Sequence, residues 1–139
     1  PAAINVKFAF SVEPDYIPDM EERVGVYRRV MAARDKEELA AVRAEVKDRF
    51  GRISPGMDEV FRVAALRLLI QPLPVVGADL FSERVVLSFN DALAAMPAEL
   101  RGLGLRALSP RDVEVFPSTY ADLMAAGSDQ LATGLDVTR

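Results

Sequence analysis

In the stretch AEVKDRFGRISPG, Ala44 to Gly56, two carboxylates and a guanidinium fall close together as Glu45, Asp48 and Arg49. Acids three residues apart are neighbours on a helix surface. In a cleft that drives their pKa values apart they could act as general acid and base. With water they could hold a magnesium ion. Facing outward they could receive an arginine from another protein surface or simply meet solvent.

The composition removes several competing chemistries. The chain has 139 residues, no histidine and no cysteine. Without histidine there is no imidazole base or imidazole zinc ligand, and without cysteine no thiolate nucleophile or disulfide. Absent cysteine also fits an intracellular, cytoplasmic setting. Against 21 acids there are 17 basic side chains, a net charge of -4, so no basic field is available to neutralise a phosphate backbone, and direct nucleic-acid binding is not expected. The apolar run from Leu66 to Val76 is interrupted by Arg67, Gln71, Pro72 and Pro74 and is too short for a bilayer. PAAINVKF lacks an initiator methionine, a basic region and an apolar region, and reads as the start of an excised fragment rather than a signal peptide. Phosphate-cradling glycine loops are not expected either, because GRISPG and RGLGLR have neither the spacing nor the lysine.

The elements that must position the acids follow from periodicity. INVKFAFSV alternates Ile4, Val6, Phe8 and Phe10 with smaller or polar residues, which predicts a strand from Ile4 to Val12 with one buried face. Pro14 and Pro18 make EPDYIPD a stiff extended connector, laid across the core by Tyr16 and Ile17. Asp19 with Glu22 forms a capping box for a first helix, whose apolar stripe reads Met20, Val24, Tyr27 and Met31. Gly25 inside that helix predicts a close packing contact. After a break near Arg34, Asp35 with Glu38 caps a second helix with Leu39, Val42, Val46 and Phe50 inward and Gly51 as a left-handed C-cap. Ser54 and Pro55 open a third, with Met57, Phe61, Ala64 and Leu68 buried until Pro72 stops it.

Beyond Pro72, PLPVVGADLF and ERVVLSF predict a hairpin around Asp79 to Ser82. DALAAMPAELRGL predicts a helix broken at Pro97, LRALSPRDVEVF a hairpin around Ser109 and Pro110, and STYADLMAA a last helix. The tail from Gly127 to Arg139 lacks a clear period and is expected to fray. The fold class is therefore α+β: an N-terminal strand, a compact three-helix unit, then short antiparallel strands and helices, read as a single domain over 1–139.

With Leu39, Val42, Val46 and Phe50 inward, an advance of roughly 100° per residue sends Asp48 almost directly outward, with Glu45 and Arg49 on one flank. Glu45 can pair with Arg49 at i+4, while Asp48 keeps no obvious helical partner. An outward acid at a rigid helix end is suited to an arginine from elsewhere. Solvated surface, docking surface and metal or catalytic pair all remain open on these grounds.

The segment from Asp15 to Leu69 closely resembles the C-terminal (TRCF) domain of the bacterial transcription-repair coupling factor. The YIPD segment, the ERVGVYRR helix, the acid-rich helix ending DRFG and the helix after SPG carry the likeness, which thins beyond Pro72. The resemblance implies a fragment of a large multi-domain translocase that removes stalled RNA polymerase and recruits excision repair. It implies a non-catalytic, autoinhibitory clamp that packs on the N-terminal UvrB-like module and masks the surface that binds UvrA. In such domains the acidic helix end faces arginines of that module, which carries over onto Glu45, Asp48 and Arg49. No cofactor, metal, membrane or small-molecule substrate is expected. One alternative is a module that recruits a separate protein or restrains the translocase motor. Another is a carboxylate-dependent hydrolase built on Asp48.

Overall fold

The structure, a computed structural model, describes residues 2–128. Apart from Gly127 and Ser128, the expected frayed tail lies outside the described residues. The fold is α+β and divides into two units, Ala9–Leu68 and a second made of the residues up to Phe8 with those from Leu69 onward.

The helical unit holds α1 (Met20–Met31), α2 (Lys36–Phe50) and most of α3 (Pro55–Ile70). Each helix starts where its capping chemistry places it. Asp19 accepts from the Glu22 N–H at 3.1 Å and Asp35 from the Glu38 N–H at 2.8 Å. Ser54 Oγ accepts from the Met57 N–H at 3.2 Å, with Pro55 at the first helical position. Leu39, Val42 and Val46 of α2 are buried, as the spacing requires, and Phe50 is half-buried. In α3 the expected Met57, Phe61, Ala64 and Leu68 are buried, and so are Val60, Val63, Ala65 and Leu66, so this helix is enclosed almost all round.

The connector before α1 is fastened at two points. Ile17 is fully buried. The Glu13 carboxylate receives the Ser54 hydroxyl at 2.6 Å and the Gly56 N–H at 3.0 Å. The Ser54 bond lowers the Glu13 pKa below the usual carboxylate value, with partial burial opposing it and the Gly56 N–H assisting.

Two expectations for α1 are overturned. The residues it buries are Val26 and Val30. Met20, Val24 and Tyr27 are exposed, and Met31 is half-buried. The reason lies in the neighbouring helix: Glu22 is ion-paired with Arg49, and Arg29 with Glu45. The pairs lie on the flank of α1 that also buries Val26 and Val30, opposite the four-residue stripe. Gly25 makes no close packing contact, since a Cβ there would meet nothing within 4 Å. Gly25→Ala should therefore stabilise the chain by about 0.5–1 kcal/mol, the helix-propensity difference, read as a raised urea midpoint at unchanged slope.

The second unit is a five-stranded sheet in the order β1-β2-β3-β5-β4. Its strands are β1 (Ala3–Val6), β2 (Val75–Leu80), β3 (Val85–Phe89), β4 (Leu105–Ala107) and β5 (Asp112–Val115), and α4 (Tyr120–Ala125) follows. Both expected hairpins form: β2 pairs antiparallel with β3, and β4 with β5. Thr119 caps α4, accepting from the Asp122 N–H at 3.2 Å.

β1 ends at Val6 rather than Val12, although the alternation continues to Phe10. It runs parallel to β2, whose last paired residue is Leu80. The Lys7 N–H still donates to the Leu80 carbonyl at 2.8 Å. Beyond that point β2 turns into its hairpin and offers no further ladder. Nor is the expected face of β1 buried, for Ile4 is half-buried and Val6 exposed.

The expected helix over DALAAMPAELRGL reduces to a 3₁₀ turn at Ala98–Leu100. The Leu93 N–H donates instead to the Pro110 carbonyl at 3.0 Å, and Pro97 has no N–H to offer a helix.

The two faces of the sheet differ. Ala78, Leu80, Val85, Leu87, Phe89, Val113 and Val115 are buried. On the alternate positions Glu114 lies between Arg84 at 3.1 Å and Arg106 at 2.9 Å, and the Arg84 guanidinium sits 4.1 Å from the Phe81 ring centroid. Glu114 is itself buried and fully paired, which is how an acid is tolerated there.

Candidate docking surface

The acids singled out in the sequence lie on the last two turns of α2, a rigid platform for physical reasons. Leu39, Val42 and Val46 anchor the helix from inside. At its end the Gly51 N–H donates to the Lys47 carbonyl at 2.9 Å. Gly51 takes φ +90°, which glycine adopts without a Cβ penalty, but its ψ of -166° is not that of a left-handed helical cap. The chain therefore leaves α2 in an extended direction. The Tyr16 hydroxyl donates to the Gly51 carbonyl at 3.0 Å, and its ring lies 6.0 Å from the Phe50 ring. Partial burial raises the Tyr16 pKa, with the Arg43 charge opposing it. The connector thus acts as a brace for the helix end.

On that platform the three residues have different fates. Glu45 does not pair with Arg49 within the helix; it meets Arg29 of α1. Arg49 reaches Glu22 of α1, and its guanidinium lies 5.1 Å from the Phe50 ring centroid. Asp48 is exposed and, among the described residues, makes no hydrogen bond or ion pair. Glu45 and Arg49 are therefore occupied in holding α1 to α2, and Asp48 alone offers an uncommitted charge. All three are exposed. Among the described residues no three acidic side chains converge as a metal would require.

Glu22 and Arg29 were missed as members of this cluster. Their signal is in the sequence: an acid and a base seven apart on one helix match a base and an acid four apart, Arg49 and Glu45, on the next. In two antiparallel helices those spacings can meet, but only the rotation of α1 decides whether they do.

Comparison with known proteins adds the family. The TRCF domain family matches residues 6–100. The transcription-repair-coupling factor of Haemophilus influenzae is 32% identical over 89 residues, which is 64% of this chain and 8% of that protein. The same-named protein of Myxococcus xanthus is 27% identical over 127 residues, 91% of this chain and 10% of that protein. The chain thus spans a tenth or less of the length of these relatives. A crystal structure of the C-terminal domain of transcription-repair coupling factor superposes with a TM-score of 0.65 at 14% identity, covering 99% of this chain and 96% of that one, a likeness of fold. On the match over 6–100, the chain belongs to the TRCF domain family.

Proposed function

We propose that this chain is the non-catalytic, autoinhibitory clamp of a transcription-repair coupling factor, docking on the UvrB-like module of its own polypeptide and masking the surface that binds UvrA. The observation that carries the reading is Asp48: an exposed, unpartnered carboxylate on a helix end braced by Tyr16, Glu22 and Arg29. A fixed carboxylate can take a charge-assisted, bidentate bond from an incoming arginine at little entropic cost. Glu45 and Arg49 contribute at the flank, where their present pairs with Arg29 and Glu22 are exposed and exchangeable.

Such a rim contact is weak taken alone. Within one polypeptide the effective concentration keeps it closed, and a weak latch is one that can open. In the full-length parent, Asp48→Arg should raise UvrA binding in the resting state about tenfold or more, because an attraction becomes a repulsion. Glu45→Ala should do less, since Arg29 already holds that carboxylate. UvrA binding unchanged by Asp48→Arg would remove the clamp reading and favour a module that recruits a different protein.

A further inference from the structure

The outward stripe on α1 carries a second surface. Met20, Val24 and Tyr27 are 67%, 43% and 46% exposed, and Met31 continues the line half-buried. Their spacing of four, three and four residues is that of a coiled-coil seam, with Val24 and Met31 at a positions and Met20 and Tyr27 at d. The buried side of the same helix, Val26 and Val30, is a separate face. Of the two apolar faces of this helix, the described residues leave the outward stripe exposed.

The charges beside the seam identify what covers it. Glu21 and Arg28 directly follow the two d residues and so occupy successive e positions. Both are exposed, and among the described residues neither makes a hydrogen bond or ion pair. The remaining flanking charge, Arg23, donates to the Ile17 carbonyl at 2.7 Å.

Two copies of α1 lying antiparallel would stack Met20 on Met31 and Val24 on Tyr27 across a twofold axis. In that arrangement e positions face each other, so Glu21 of each copy meets Arg28 of the other, twice. Parallel copies would instead set Arg23 against Arg28, like against like. We propose that α1 is a self-association surface on which a second copy of this chain binds antiparallel through Met20, Val24, Tyr27 and Met31, with reciprocal Glu21 to Arg28 pairs.

A seam of three turns is shorter than a standard interface of about 800 Å² per partner. The dimer is accordingly weak, with a Kd on the order of 100 µM, and forms where copies are concentrated. The seam lies on α1, and the self-association does not rest on the clamp reading.

The test is sedimentation equilibrium of the 139-residue chain up to about 1 mM, an upper limit set by that expected Kd. Four forms are compared: wild type, Glu21→Arg, Arg28→Glu and the double reversal. Each single reversal should weaken association about tenfold, since both symmetry-related pairs become repulsive. The double reversal should restore it to within about threefold, because the charges again complement across the axis. Val24→Lys should abolish it. The three substituted positions, Glu21, Val24 and Arg28, are exposed, so circular dichroism should be unchanged. A wild-type chain that stays monomeric throughout, or a double reversal no better than the single ones, overturns the proposal. Rescue by the double reversal separates a second copy from any other partner, whose own charges would not change.

Discussion

Gly56→Ala should cost the chain about 3 kcal/mol or more, although alanine is the better helix former by about 1 kcal/mol. Gly56 is the second residue of α3. A Cβ there would lie 1.9 Å from the Ser11 carbonyl oxygen and 2.8 Å from both the Ser11 carbonyl carbon and Glu13 Oε1. Two of those three atoms are backbone and cannot rotate away. The connector cannot retreat cheaply either, because Glu13 is bonded to the Ser54 hydroxyl and to the Gly56 N–H itself. Separating the two segments would strand a carboxylate that now receives both bonds, and an unsatisfied group of that kind costs about 1–3 kcal/mol. The measurement is the urea unfolding midpoint, with Gly25→Ala as the control. One chemical change at two helical glycines should then give opposite signs, a loss at Gly56 and a gain at Gly25. A Gly56→Ala chain as stable as wild type would mean that the Ser11 to Glu13 segment is not fastened where it lies.

That contrast marks where the sequence is readable. Capping chemistry is local, so Asp19, Asp35 and Ser54 announce their helices within four residues and do so correctly. Hairpins are nearly as local: β4 and β5 turn about Ser109 and Pro110 as expected, and β2 and β3 turn at Phe81 to Arg84, two residues beyond the expected Asp79 to Ser82. What fails needs partners distant in sequence. β1 stops at Val6 because β2 ends at Leu80, and nothing between Ile4 and Val12 encodes the length of a strand some seventy residues on. Gly25 and Gly56 look alike in the sequence as glycines in helices, yet only one has a carbonyl pressed against it.

The candidate surface divides along the same line. That Asp48 faces outward follows from the spacing of Leu39, Val42 and Val46 on its own helix. That Glu45 and Arg49 are taken by α1 does not, because it depends on how far α1 is rotated. Helical periodicity marked the four-residue stripe of α1 as its buried face. The narrower face of Val26 and Val30 is the buried one, and its burial sets Glu22 and Arg29 beside α2.

Phe61→Ala should remove about 3–5 kcal/mol, a large part of the 5–15 kcal/mol that holds a domain of ordinary stability. Phe61 is fully buried on α3, where a lost ring leaves a cavity in a helix enclosed nearly all round. Its ring also supports α2: the Arg43 guanidinium lies 5.1 Å from the ring centroid and donates to Asp58 at 2.9 Å. Truncation removes a cation–π contact of about 0.5–2 kcal/mol and leaves Arg43 with the Asp58 bond but no aromatic floor. Phe61→Leu should cost less, about 1–2 kcal/mol, because most of the volume remains. On the proposed clamp reading a functional consequence follows as well: α2 carries Asp48, and a carboxylate would serve as a latch only while its helix is held still. Hydrogen exchange across α2 should therefore accelerate in Phe61→Ala beyond the change in α4, and UvrA binding by the resting full-length protein should rise without any alteration of the docking surface. A loss below about 2 kcal/mol with α2 protection intact would show that α2 is held by Leu39, Val42 and Val46 alone, and that the Arg43 to Phe61 contact adds nothing to the platform.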